Sequence, residues 1–279
     1  MKLIRSVAEM QTAAAEVKRT GRHIALVPTM GALHEGHAAL IRKAREQGAF
    51  AVVSIYVNPT QFGPAEDYRQ YPRELDKDSA LCARESVDVV FAPADAEMYA
   101  AGASTWVEET GLTRRLEGQH RPQHFRGVCT VVAKLFNIVQ PDAAIFGQKD
   151  YQQLKVVERM VRDLCYSIRI VPVATVRESD GLALSSRNQY LAGEERAQAT
   201  VLWKALNSAQ DLFNGGERNA RRLETAMSRA IQLAPLARLD YAEIVDADTL
   251  ESVHETKRGN VALLAAHIGK TRLIDNLIL

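Results

Sequence analysis

Nine consecutive residues, Ala49 to Val57 (AFAVVSIYV), constrain the fold more than any other feature, being apolar or β-branched at nearly every position. A strand with one wet face alternates polar and apolar residues. A run without that alternation suits a parallel strand covered on both faces. Val87 to Ala92 (VDVVFA), Ala143 to Phe146 (AAIF) and Ile168 to Val173 (IRIVPV) repeat the pattern, and His23 to Val27 reads as a short buried strand. Helical patterns separate these runs. Ser6 with Glu9 forms a capping box for a helix that stops at Gly21. Further helices are expected from about Gly36 to Gln47, closed by Gly48, and over Leu75 to Glu85, Gly127 to Val139 and Tyr151 to Leu164. Strands alternating with helices imply βαβ units: an α/β fold with a parallel sheet and helices on both faces. Ligands in such sheets bind at the carboxyl ends of the strands, so the loops after strands are where chemistry is sought.

The pattern changes after Asn188. Gly193 to Phe213 and Gly216 to Leu233 read as charged, Ala-rich helices, and Leu239 to Val245, Asn260 to Ala266 and Thr271 to Leu279 as strands. Two domains are therefore expected, residues 1–187 and a smaller α+β domain over 188–279, which suits a chain of 279 residues. Lys plus Arg is 35 and Asp plus Glu is 34, a net charge of +1 that argues against a general nucleic-acid binder. No apolar run approaches the roughly 18 residues of a membrane span. Arg5 and Glu9 come too early for a secretory signal. Cys82, Cys129 and Cys165 are far apart, which excludes a C-x-x-C site and a disulfide framework. The expected setting is cytoplasmic.

The first loop to follow a strand reads VPTMGALHEGH, Val27 to His37. Gly31 allows a sharp turn and close approach to a ligand. Gly36 leaves a helix N-terminus open, and its N–H groups and partial positive charge suit phosphate. His34 and His37 lie three apart and face one spot, where two imidazoles can donate hydrogen bonds to a phosphoryl oxygen. The zinc motif H-E-x-x-H fails, because its second histidine would fall at Ala38. Taken alone, the pair fits a surface helix start equally well.

Three later loops carry comparable groups. NPTQFG, Asn58 to Gly63, holds Gln61, whose amide donates and accepts. FGQKDYQQ, Phe146 to Gln153, places the point charge of Lys149 beside the acceptor Asp150, which suits a ribose hydroxyl or Mg²⁺. RESDGLALSSRN, Arg177 to Asn188, sets Ser185, Ser186 and Arg187 together, a set able to grip phosphate oxygens. Each also reads, in isolation, as an ordinary turn or surface pair.

H-x-G-H after a first strand resembles the signature of the nucleotidylyltransferase and class I aminoacyl-tRNA synthetase superfamily, whose fold is Rossmann-like. The longer string PTMGALHEGH, with VNPTQFG, FGQKDYQQ and LSSRN in order, resembles the pantoate–β-alanine ligases. The matching segments cover about His23 to Asn188. The resemblance implies that Met30, Gly31, Ala32, Leu33, His34, Glu35, Gly36 and His37 line ATP, with Gly147, Gln148, Lys149, Asp150, Val176, Leu184, Ser185, Ser186 and Arg187. It implies that Gln61, with Asn58 as a weaker neighbour, and Gln153 contact pantoate. Gln152 is not assigned. It further implies Mg²⁺ with the ATP, a homodimer through the N-terminal domain, and a C-terminal domain that closes over the active site. The superfamily loop normally carries lysine; Arg187 stands there instead, the usual form among these ligases.

The reaction so implied is ATP-dependent amide formation. Pantoate attacks the α-phosphorus, pyrophosphate leaves, and β-alanine takes the acyl group from the adenylate to give pantothenate and AMP. His34, His37, Lys149, Ser185, Ser186 and Arg187 would stabilise the growing phosphoryl charge. The alternative is a nucleotidylyltransferase of the same superfamily acting on another small substrate. Other residues are read structurally. His120 and His124, separated by Pro122, sit in a basic loop near the dimer interface or substrate. Cys129 is core, Trp203 packs between domains, Asp88 caps its own strand, and Arg114 and Arg115 are solvated.

Overall fold

The computed structural model describes residues 1–47, 49–64 and 66–279. Gly48, expected to close the second helix, lies outside the described residues. The chain contacts divide it into two compact units. The first comprises Met1–Gln148 and Gln152–Ala174; the second comprises Lys149–Tyr151 and Thr175–Leu279.

The first unit runs β1 (Lys2–Ile4), α1 (Val7–Arg19), β2 (Ile24–Thr29), α2 (Glu35–Glu46), β3 (Phe50–Ile55), α3 (Leu75–Arg84), β4 (Val89–Phe91), α4 (Asp95–Met98), α5 (Glu117–His120), α6 (His124–Val139), β5 (Ala143–Gly147), α7 (Tyr151–Asp163) and β6 (Arg169–Val173). The six strands form one sheet in the order β1-β4-β3-β2-β5-β6, every pair parallel. This is the expected α/β sheet. The Ser6 hydroxyl caps α1 by accepting from the Glu9 N–H.

Period-two alternation sorts the strand side chains onto two faces. Ala25, Val27, Val53, Val90 and Ile145 pack with Ile41 and Ala44 of α2 and Cys82 of α3. Ile24 and Leu26 point the other way, where α1 and α6 meet β2. From β2 the chain moves outward to β3 and β4, then crosses back to β5 on the far side of β2. That reversal makes the carboxyl ends of β2 and β5 the topological switch point, the usual ligand site of such sheets.

Several expectations are corrected. Ile168 to Val173 is not a strand buried on both faces. β6 lies at the sheet edge with only Val171 buried, and Pro172, which has no N–H to donate, is tolerated there. β1, too short to show a pattern, adds a strand at the opposite edge. The segment around His120 and His124 is not a plain loop, because His120 ends α5 and His124 opens α6. Asp88 does not cap its own strand; its carboxylate accepts from the Ala51 N–H of β3 at 2.9 Å and pairs with Arg45. Cys129 is fully buried, and Arg114 and Arg115 are exposed.

The second unit holds α8 (Glu194–Ala199), α9 (Val201–Asn214), α10 (Ala220–Gln232) and the antiparallel sheet β7 (Ala237–Val245), β8 (Val261–Ile268) and β9 (Thr271–Ile278). The single helix expected from Gly193 is split into α8 and α9 at Thr200. Leu202, Leu206, Leu223, Met227 and Ile231 cover Ile244, Leu264 and Ile268. Trp203 packs within this unit, over Gly181 and with the Arg177 guanidinium 3.8 Å from its ring centroid. The units part at Ala174, ahead of residue 187, because the segment from Arg177 is bonded into the second unit. Arg177 bridges Ala183 and pairs with Asp275 of β9 at 2.7 Å.

One close approach in the first unit is testable. A Cβ on Gly127 of α6 would lie 2.5 Å from the Thr60 carbonyl oxygen and 2.7 Å from the Gln61 Cα. Backbone cannot retreat as a flexible side chain can. Gly127→Ala should lower stability by about 1–3 kcal/mol, despite alanine's better helix propensity. Thermal melts of both proteins check this; an unchanged or raised Tm would refute the close contact.

Candidate active site

The loop between β2 and α2 turns through two left-handed residues, Gly31 (φ 85°) and Ala32 (φ 50°). That conformation costs alanine roughly 1–2 kcal/mol, so something must hold it there. Asp78 of α3 does. Its Oδ2 accepts the Ala32 N–H at 2.9 Å and its Oδ1 accepts the Leu33 N–H at 2.7 Å. Asp78 is 2% exposed. Burial pushes its carboxyl up, and the two N–H donors oppose that shift. A side chain at Gly31 would meet Asp78 Oδ2 at 2.9 Å, so glycine is required both for φ and for space.

The turn delivers His34 as the N-cap of α2. The Gly36 N–H donates to His34 Nδ1 at 3.1 Å, and the His34 N–H donates to His37 Nδ1 at 3.2 Å. The ring centroids are 4.1 Å apart. A ring nitrogen that accepts a hydrogen bond carries no proton, so each neutral imidazole is the Nε2–H tautomer. Each ring thus carries its proton on Nε2, at the partly positive N-terminal end of α2. The Glu35 carboxylate pairs with Arg42 on the helix surface, so only the Glu35 backbone belongs to this arrangement.

The next loop meets the first through Gln61, whose Nε2 lies 3.0 Å from Met30 Sδ. Gln61 is 7% exposed. Asn58 Nδ2 donates to Gln61 Oε1 at 3.2 Å and to the Gly127 carbonyl at 3.1 Å. Asn58 Oδ1 in turn accepts from the Thr60 and Tyr99 hydroxyls at 2.9 and 3.0 Å. His124 Nδ1 lies 2.9 Å from the Gln61 carbonyl, which accepts only, so Nδ1 carries the proton. Beside it, Arg121 pairs with Glu66 at 2.6 Å. Burial acts to raise the Glu66 carboxyl, yet Arg121 outweighs it and holds the group below its usual range. Of the two glutamines that open α7, Gln152 is committed. It accepts the Glu117 N–H and donates to the Leu112 and Arg115 carbonyls. Gln153 is half-buried beside it.

Gly147 ends β5 and Gln148 follows it, both in the first unit, whereas Lys149 and Asp150 belong to the second. Lys149 Nζ lies 3.4 Å from Asp150 Oδ1. Also in the second unit, the Leu184 N–H donates to the Val176 carbonyl at 3.0 Å, closing the base of a tight turn. Ser185 then caps a 3₁₀ turn by accepting the Arg187 N–H, Ser186 is buried, and Arg187 is half-buried. Each unit therefore gathers its own share of the expected residues: His34, His37 and Gln61 in one, Lys149 and Ser185 to Arg187 in the other.

A sequence model described as pantoate-beta-alanine ligase matches residues 2–278. The chain belongs to the pantoate–β-alanine ligase family. It is 53% identical to the pantothenate synthetase of Moorella thermoacetica, with 100% of this chain and 99% of that protein covered. Identity to the pantothenate synthetase of Thermotoga neapolitana is 51%, covering the whole of both chains. Among solved structures, pantothenate synthetase from Thermus thermophilus superposes with a TM-score of 0.95 at 46% identity, covering 100% of this chain and 99% of that one. Pantoate-beta-alanine ligase from Francisella tularensis, complexed with beta-gamma ATP and beta-alanine, superposes with a TM-score of 0.82 at 33% identity, covering 100% and 97%. The chain is a ligase.

Two residues that no motif points to, Asp78 and Asn276, and one that the sequence places only in a basic loop, His124, bond to backbone near the expected site residues. Their partners lie 45 or more positions away. His124 makes one such contact testable. Burial first, and then the Arg121 charge, push its imidazole down to about 4. Arg121, Glu66 and Glu117 face it. The unfolded chain takes up this proton below about 6.5, while the folded chain resists until about 4. Stability is therefore lost as pH falls through that window, by up to about 3 kcal/mol from this group. Melts from about pH 7 to about pH 5 should show a smaller fall in Tm for His124→Gln than for the parent. Equal slopes would assign the loss to other groups.

Proposed function

We propose that this ligase condenses (R)-pantoate with β-alanine through a pantoyl adenylate, converting ATP to AMP and pyrophosphate. The observation that carries this reading is the pair of Nε2–H donors fixed at the α2 N-terminus, beside a loop whose Gln61 amide is locked in place. Pantoate's own carboxylate is the nucleophile, so the protein needs no activated serine or cysteine. It needs donors and cations aimed at charge developing on the phosphoryl oxygens. His34 and His37 supply the donors. Lys149, Ser185, Ser186 and Arg187 supply cations and hydroxyls to the triphosphate, a role that fits their family motifs. Met30 to Leu33, Gly36, Gly147, Gln148, Asp150, Val176 and Leu184 line the nucleotide, and Gln61 and Gln153 hold pantoate. The Francisella relative, complexed with beta-gamma ATP and beta-alanine, supports the same two ligands here.

Among the described residues no group of three His, Cys, Asp or Glu forms a metal cage. Mg²⁺ that accompanies a nucleotide binds through one or two carboxylates plus substrate phosphates. Asp150, with an oxygen ligand half exposed beside Lys149, is the residue that would share it. Held there with the ATP, Mg²⁺ would supply charge neutralisation to the β- and γ-phosphates.

Pyrophosphate–ATP exchange with pantoate and Mg²⁺, β-alanine omitted, tests the reading. Pantoate-dependent exchange is expected, and His37→Ala should lower it by about two orders of magnitude, as loss of one such donor does, with Tm little changed. Exchange that does not depend on pantoate, or full exchange in the variant, would overturn it. The proposed setting is cytoplasmic; among the described residues no helix is long and apolar enough to cross a membrane. The proposed assembly, implied by the family resemblance, is a homodimer. Sedimentation equilibrium should return twice the 30.9 kDa chain mass, and a single-chain mass would refute it.

A further inference from the structure

Strand β9 breaks the rule of alternation at one place. Neighbouring strand residues face opposite sides, yet Asp275 and Asn276 are both buried, at 3% and 6% exposure, in an otherwise apolar stretch, LIDNLI. Buried polar side chains cost free energy unless they are bonded, and both are bonded to segments that carry motif residues. Asn276 Nδ2 donates to the Lys149 carbonyl at 2.8 Å. Asp275 receives both terminal nitrogens of Arg177, at 2.7 and 2.9 Å. That guanidinium also donates to the carbonyls of Gly181 and Asn276, at 3.1 and 3.2 Å. Arg177 pairs with Ala183 across the turn that runs straight into Leu184 to Arg187. The Lys149 segment has a second tie, from the Tyr151 hydroxyl to the Ala247 carbonyl at 3.1 Å. All of these contacts lie within the second unit.

We propose that Asp275 and Asn276 are positioning residues for ATP: Asn276 anchors Lys149 by its backbone, and Asp275, through Arg177, anchors the turn that presents Leu184 to Arg187. A lysine side chain has four rotatable bonds, so its ammonium finds a phosphate reproducibly only if its backbone is fixed. One residue pair on the last strand thus sets the bases of two phosphate-facing groups that lie 36 positions apart in sequence (Lys149 and Ser185). The inference rests on the ATP role given to these groups above.

The test is Asn276→Leu, which keeps the volume and removes the donor, with Asn276→Ser as a smaller change. Both are assayed by pyrophosphate–ATP exchange with each substrate varied. In the folded variants the KM for ATP should rise about ten-fold, the worth of one hydrogen bond of about 1.4 kcal/mol. The KM for pantoate should stay within about two-fold of the parent. A merely structural residue would lower the active fraction and move neither KM. ATP KM unchanged in a folded variant, or both KM values moved together, would overturn the inference. So would failure of both variants to fold, which would make Asn276 a stability residue. Absence of pantoate-dependent exchange in the parent chain would instead overturn the functional reading itself.

Discussion

The first unit's chemistry depends on one buried carboxylate. Without Asp78, Ala32 has no reason to stay in a left-handed conformation, and the chain after β2 would not enter α2 at its present angle. With it, two backbone N–H groups are held at 2.9 and 2.7 Å, Gly31 completes the turn, and His34 arrives at the helix start. The helix then finishes the arrangement from its own backbone. Its first N–H groups are the ones an α-helix leaves unpaired, and two of these, from His34 and Gly36, donate to imidazole Nδ1 atoms. The tautomers follow from this, with the ring proton of each on Nε2.

A second layer supports the first. Gln61 could rotate freely on an ordinary turn, but here its side chain is held by Asn58 and its carbonyl by His124. Asn58 is held by Tyr99, Thr60 and the Gly127 carbonyl. Three of these bonds are buried and two part-buried, settings where an unmade partner is costly, so the network has few alternative arrangements. The absence of a side chain at Gly127 lets α6 approach the turn at backbone distance. Rigidity of this kind suits the pantoate-binding role proposed for Gln61, because a loose amide would accept many small ligands.

What could be read in the sequence follows from the range of the interaction concerned. β3 is legible because burial on both faces removes alternation, and the α1 cap because Ser6 and Glu9 are three residues apart. The groups proposed to meet phosphate are legible because they are carried in contiguous loops. β6 misled because an edge strand of Ile and Val looks like a central one until its neighbours are known. The partners of Trp203 are not legible, because nothing local shows that Gly181 and Arg177 lie beneath it. His124 reads as a loop residue with His120 because Pro122 interrupts the helical pattern, although α6 begins at His124. Asp78 was invisible as a site residue: it sits among charged neighbours on a helix, and only the fold shows that it points inward.

The distribution of roles has a chemical logic. A reaction whose nucleophile is the substrate's own carboxylate asks the protein for electrophilic assistance and precise placement, and little else. In the proposed mechanism, assistance comes from groups that already carry the needed proton or charge: Nε2–H imidazoles, an ammonium, a guanidinium and hydroxyls. Placement must then come from elsewhere, because long cationic side chains bring their own disorder. In both units it comes from acidic or amide side chains that bond to backbone rather than to the reactive groups. Asp78 does this for the histidine loop and Asn276 for Lys149, while Asp275 works through Arg177. Holding the backbone fixes a reactive side chain without drawing on the proton or charge that it offers to substrate. Had the same buried carboxylates been aimed at the reactive groups themselves, they would have offset the positive charge that the phosphoryl transition state requires.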